Sequence, residues 1–284
     1  MRPSRHSIRK WTVRSLAALA VLALLYLGIL FYPTPLFANA ARIGRYRVYS
    51  DEPVSAAIAD AIADLERRLA AMEHPPPSGN HRVYLCNSPQ RYAFFAFLTR
   101  KSPESLAIGL SFPNESFVSM TRVRRFAEAN RGRLRHTRFE GNLAEVLAHE
   151  ISHFNSLRAL GLRRHLSLPL WKSEGWAEYQ ANLAAIRADT SYDLHARIDQ
   201  LLDDRLWGES ARLARRLWEA QLLMEFLGEV KGFRLAGLAR EDVTEASARN
   251  AMMEWHRPGT EGPAPSSVGR PTATWIYRSP KSSK

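Results

Sequence analysis

No charged residue occurs between Arg14 and Arg42, and within that gap residues 16–32 (LAALAVLALLYLGILFY) are almost purely apolar. Such a run has few ways to fold. It has no polar positions to give a helix one wet face, so a soluble core is a poor home for it. At ~1.5 Å per residue, a helix of this length approaches the ~30 Å hydrocarbon core of a bilayer. Arg2, Arg5, Arg9, Lys10 and Arg14 precede it without an acid, which would hold that end in the cytoplasm and carry the rest across. Two readings follow. One is a retained signal-anchor. The other is a cleaved signal peptide, for which Ala38-Asn39-Ala40 has the small-x-small form of a cleavage site. The run exceeds the usual apolar region of about 7–15 residues in a signal peptide, which favours the anchor. In both, the body of the chain is extracytoplasmic.

The formal net charge of +12 sits mostly in the tails. The first fourteen residues carry +5 and residues 257–284 carry +4, leaving +3 for everything between. A polyanion-binding core is not required, and no nucleic-acid partner is expected. Cys86 is the only cysteine. An intrachain disulfide is therefore impossible, and any metal must be held by His and carboxylate side chains. Residues 42–256 are long enough for one domain with a substantial core. Residues 257–284, rich in Pro, Ser, Gly and Thr, read as a disordered basic tail.

Within the body, residues 45–49 (RYRVY) predict a strand, and residues 54–72 a helix with Ile58, Ile62, Leu65 and Leu69 on one face. A Pro-rich break at 75–79 leads to a second strand at 81–86 (HRVYLC). Ser88-Pro89 opens a helix to Leu98. Short strands fit 107–111 and 117–121. After that the signal is helical. Asn142 with Glu145 forms a capping box for a helix stopped by Gly161, and further helices fit 173–188, 193–206, 210–230 (ended by Gly232) and 241–255. Strands followed by helices predict an α+β fold.

Residues 149–153 read His-Glu-Ile-Ser-His. On a helix, His149 and His153 share a face and can reach one metal ion, with Glu150 beside it. Leu143, Leu147 and Ile151 supply the opposite, buried stripe. Eighteen residues after His153 comes Trp171-Lys172-Ser173-Glu174-Gly175-Trp176-Ala177-Glu178-Tyr179. Ser173 is placed to cap a helix presenting Glu174 in its first turn. Two His and one Glu, with a fourth position left to water, form the ligand set of a catalytic Zn²⁺ site. Glu178, four residues beyond Glu174, is placed to accept a hydrogen bond from the outer nitrogen of a ligating His.

This combination, HExxH followed by W-x-x-E-G-x-A-x-Y, resembles the gluzincin zinc metallopeptidases of the peptidase MA-like superfamily. The resemblance spans roughly residues 45–255, with its specific part in 142–180. It implies a zincin-like fold, His149, His153 and Glu174 as zinc ligands, Glu150 as general base, and a peptide or protein substrate held on an edge strand between residues 81 and 121. Glu178 stands where thermolysin-like members have Asp and aminopeptidases Ser. The Gly-x-Met-Glu-Asn signature of aminopeptidases is missing upstream of the HExxH helix. Tyr192, His195 and the arginines of 212–216 are candidates, by position only, for stabilising the oxyanion. The alternative to a peptidase is a catalytically degenerate zincin-like domain that binds zinc as an interaction module at the membrane. Hydrolysis of a non-peptide amide or ester fits the same ligands.

Arg122, Arg124, Arg125, Arg131, Arg133, Arg135 and Arg138 form a basic stretch ahead of the HExxH segment. It reads first as solvated surface, with anionic lipid or an acidic substrate as alternatives. His74, His81 and His256 read as surface residues, and Trp171 and Trp176 as packing.

Overall fold

A computed structural model describes residues 5–75, 81–110, 114–130, 142–189, 191–207, 212–240 and 242–257. The Pro-rich break beyond Pro75, the arginines at 131, 133, 135 and 138, and the tail beyond Arg257 lie outside the described residues.

The chain begins with helix α1 (Arg5–Phe31). Its window from Arg14 to Phe31 is long and apolar enough to span a membrane or to serve as a signal sequence. Strands β1 (Asn39–Ile43) and β2 (Tyr46–Ser50) form an antiparallel hairpin, turned at Gly44, whose φ of 57° suits a residue without Cβ. Then follow α2 (Ala56–Ala71), β3 (His81–Cys86), α3 (Pro89–Leu98), β4 (Ala107–Leu110), β5 (Glu115–Ser119) and α4 (Met120–Asn130). The helical part comprises α5 (Leu143–Leu160), α6 (Leu162–Ser167), α7 (Leu170–Ala188), α8 (Leu194–Leu202), α9 (Arg212–Glu225), a π-helical turn at Phe226–Val230, α10 (Leu235–Leu238) and α11 (Glu245–His256).

The fold is α+β around a mixed five-stranded sheet of order β1-β2-β3-β5-β4. The β2–β3 and β3–β5 pairs are parallel, and β4 runs antiparallel to β5 at the edge. Both faces of β3 are covered. Val83 and Leu85 join the core under α2 and α5 with Leu65, Leu69, Leu147 and Ile151. Tyr84 and Cys86 face α3 among Phe37, Tyr92, Phe95 and Phe117. This two-sided burial explains why β3 lacks a polar alternation. A second core, of Trp176, Tyr179, Leu183, Ile198, Leu222 and Phe226, holds α7, α8 and α9 together.

The caps expected at Ser88 and Asn142 form, each side-chain oxygen accepting the backbone N–H three residues on. Several expectations need correction. Residues 117–121 are not one strand: β5 ends at Ser119, and α4, unforeseen, carries Arg122, Arg124 and Arg125. The helix of Glu174 starts at Leu170 behind Pro169, so Ser173 lies inside it and caps nothing. The 193–206 helix breaks at Asp203. The last helix starts only at Glu245, where Thr244 and Ser247 form a capping box. His81 is buried, not a surface residue. Its Nδ1 lies 3.0 Å from Asn114 Oδ1 and its Nε2 3.0 Å from Ser116 Oγ. His256 is mostly covered too, between His195 and Asp199. His74 is exposed.

Candidate metal centre

Helix α5 follows Asn142 and ends at Gly161, whose φ of 77° admits the turn without strain. Leu143, Leu147 and Ile151 fix its rotation by facing the sheet core. His149 and His153 consequently emerge together on the opposite side, half-buried. Helix α7 crosses α5, and it can come close to α9 because position 175 has no side chain. A Cβ on Gly175 would stand 2.3 Å from the Ala220 carbonyl oxygen. That close seat sets where the neighbouring Glu174 projects.

The three side chains converge. The Nε2 atoms of His149 and His153 are 3.1 Å apart. Glu174 Oε2 is 3.3 Å from His149 Nε2, and its Oε1 is 3.7 Å from His153 Nε2. Ligands at about 2.05 Å around a tetrahedral Zn²⁺ would be roughly 3.3 Å from one another. The Nε2–Nε2 distance and the approach of Glu174 Oε2 to His149 lie near that value, and one ligand atom from each residue lies within 4.8 Å of the others, so this His-His-Glu group could hold a metal ion. Two imidazole lone pairs and a carboxylate aimed at one point otherwise repel, and only a proton or a cation relieves them.

The outer contacts are in place as well. Glu178 Oε1 lies 3.1 Å from His149 Nδ1, and Ser173 Oγ is 3.4 Å from His153 Nδ1. Ser173 thus has a place at the site that differs from the cap expected of it. Glu150 is held from the other side, its carboxylate accepting a hydrogen bond from the backbone N–H of Gly109 on edge strand β4. Gly109 is needed there: a Cβ would lie 2.6 Å from Glu150 Oε2 and 2.8 Å from the Phe154 ring.

Electrostatics follow from this crowding. Burial raises the pKa of Glu150, opposed by the charge of His149 and reinforced by that of Glu174. Burial alone would lower that of His149, but Glu178 and Glu174 outweigh it and raise the value well above the ordinary one. Burial, then the charge on His149, push His153 down to about 3. Glu174 falls to about 2 because its hydrogen bond and attraction to His149 overcome burial. Lys101, on the loop after α3, is close enough to bear on Glu150, His153 and Glu174 alike.

No protein-family model matches the chain, and no curated protein matches it. The site therefore rests on its own geometry. That geometry brings His149, Glu150, His153, Glu174 and Glu178 together. It gives three of the oxyanion candidates other partners. Tyr192 donates to Glu225, His195 stacks on Trp255, and Arg215 pairs with Asp204. Trp176 is buried and Trp171 packs beside it in the second core. Gly109 and Lys101 were not foreseen. A glycine in a four-residue edge strand was the one available signal for Gly109, since it often marks a close approach. Nothing in the sequence pointed to Lys101.

Proposed function

We propose that this chain is a membrane-tethered, zinc-dependent hydrolase of the gluzincin type that cleaves peptide bonds. The observation that carries the reading is the convergence of His149, His153 and Glu174: the two Nε2 atoms are 3.1 Å apart, one Glu174 oxygen is 3.3 Å from His149 Nε2 and the other is 3.7 Å from His153 Nε2. A Zn²⁺ bound there would act as a Lewis acid and lower the pKa of a water to about 7. His149, His153 and Glu174 would hold the ion. Glu178 Oε1, 3.1 Å from His149 Nδ1, would keep the ring proton on Nδ1 and so direct Nε2 to the metal. Glu150, its pKa raised by burial, takes the proton of the attacking water and hands it to the leaving nitrogen. Strand β4 lies at the sheet edge among the described residues, where an extended polypeptide could pair beside Gly109, whose N–H is already given to Glu150. Its Gly109 fixes Glu150, so the strand that receives the substrate also positions the base.

Metal content and peptide turnover of the full chain in detergent test this. Wild type should carry about one zinc per chain, Glu174→Ala should lose it, and Glu150→Gln should keep zinc while losing turnover. A protein that takes up no zinc refutes the reading. A zinc-bound wild type that cleaves no peptide from a broad library supports instead the non-catalytic module.

A further inference from the structure

Helix α3 shows two opposite faces. Tyr92, Phe95 and Ala96 are buried against the sheet. Phe94 and Phe97, one turn apart on the other side, are 41% and 79% exposed. Tyr32, just beyond α1, and Leu36, in the short turn that follows, are further exposed apolar side chains on the segment that meets α3, and Arg100 is exposed just past the C-terminal end of α3.

What adjoins this face is α1 itself. The Tyr26 hydroxyl donates to the carbonyl of Leu98, 2.6 Å away, at the C-terminal end of α3. Ile29 packs against the cluster of Phe37, Tyr92 and Phe95. At the other end of α3, Arg91 donates to the Leu36 carbonyl and lies over the Phe37 ring. The body is thus held at two points on the C-terminal end of α1 and at a third on the segment just beyond it. Tyr26 is five residues inside the end of α1, a depth of about 8 Å at 1.5 Å per residue. Interfacial helices bury their apolar faces to about 5–10 Å. The C-terminal end of α3, level with Tyr26, reaches the same depth.

We infer that α3 is a second membrane contact, standing beside α1 with its C-terminal end in the bilayer interface and Phe94 and Phe97 in the acyl boundary. This rests on α1 spanning a bilayer, and extends it. The body is pinned in one orientation against the lipid surface.

The test uses the full chain in vesicles containing anionic lipid, with Phe97→Cys carrying an environment-sensitive fluorophore. Position 97 is exposed, so the substitution leaves the core intact. The native Cys86 is buried, its thiol pushed up to about 12, and it resists labelling. Ala246→Cys on α11 is the reference. The expected result is blue-shifted emission at 97, quenched severalfold more than at 246 by lipids with a nitroxide near the headgroup. Water-like emission at 97 in a chain that floats with vesicles overturns the inference and leaves the tether standing. A blue shift that these lipids do not quench, and that grows with protein-to-lipid ratio, overturns it in favour of a second copy covering the face. A chain that does not float with vesicles overturns both tether and inference.

Discussion

Substituting Glu115 should uncover a pH dependence of stability that the wild-type sheet conceals. Glu115 on β5 has no exposed surface. Burial raises its pKa from 4.5 to about 7, against the opposing pull of Arg82 and Tyr84. A carboxyl with a raised folded-state pKa contributes stability below its unfolded value and loses it as pH climbs through the folded one. The shift is about 2.5 units, or about 3 kcal/mol, lost between roughly pH 4.5 and 7. His81, on neighbouring β3, behaves in the opposite way. Burial lowers its pKa from 6.5 to about 4, while its hydrogen bond to Asn114 acts against the shift. A neutral ring donating from Nδ1 to Asn114 and accepting at Nε2 from Ser116 has no need of a second proton. Its contribution, again about 3 kcal/mol, is complete above roughly pH 6.5 and lost as pH falls toward 4. Between those limits the two slopes cancel. In Glu115→Gln the group stays neutral, so stability relative to wild type should improve by about 3 kcal/mol from pH 4 to pH 8. Thermal unfolding of both proteins in detergent across that range measures the difference, and groups insensitive to position 115 drop out. A difference that stays flat with pH would mean that Glu115 titrates normally, and would refute the argument.

Three further outcomes test the site. Glu178→Gln should weaken metal binding about 10–100-fold, measured by competition with a chelator; unchanged affinity would remove Glu178 from its role in orienting His149. Gly109→Ala pushes a methyl into Glu150 and Phe154. It should cost about 1–3 kcal/mol and most of the peptide turnover while leaving zinc stoichiometry intact; full turnover would mean that β4 does not position the base. Gly175→Ala meets backbone at Ala220 rather than a flexible side chain. It should lower the melting temperature by a cost of about 1–3 kcal/mol and loosen zinc together, and an unaltered protein would show that the α7–α9 contact can yield freely.

Where local chemistry decided the outcome, the sequence was readable. Strand β3 spans the expected residues 81–86, and Ser88 and Asn142 cap as their positions suggest. The spacing of His149, His153 and Glu174 was enough to anticipate their convergence. Tertiary context was harder to read. Strand β1 (NAARI) has little strand propensity and exists by pairing with β2. Met120 and Thr121 look like strand but start α4. His81 resembles any loop-flanking histidine until Asn114, across the sheet, gives it a partner. Gly109 and Lys101 reach the site through the path of the chain, which no spacing encodes.

The ligands come from two separate bodies of apolar packing: His149 and His153 ride on the helix seated against the sheet, Glu174 on the helix whose Trp176, Tyr179 and Leu183 belong to the other core. On the proposed reading, an ion bound there rivets the halves. A ligand present at a hundred times its dissociation constant adds about 2.7 kcal/mol to the native state. Chains made during metal scarcity forgo that increment, open first along the α5–α7 seam, and fall to quality-control proteases sooner. On that same reading, the amount of this protein should rise and fall with the zinc supply, even at constant synthesis.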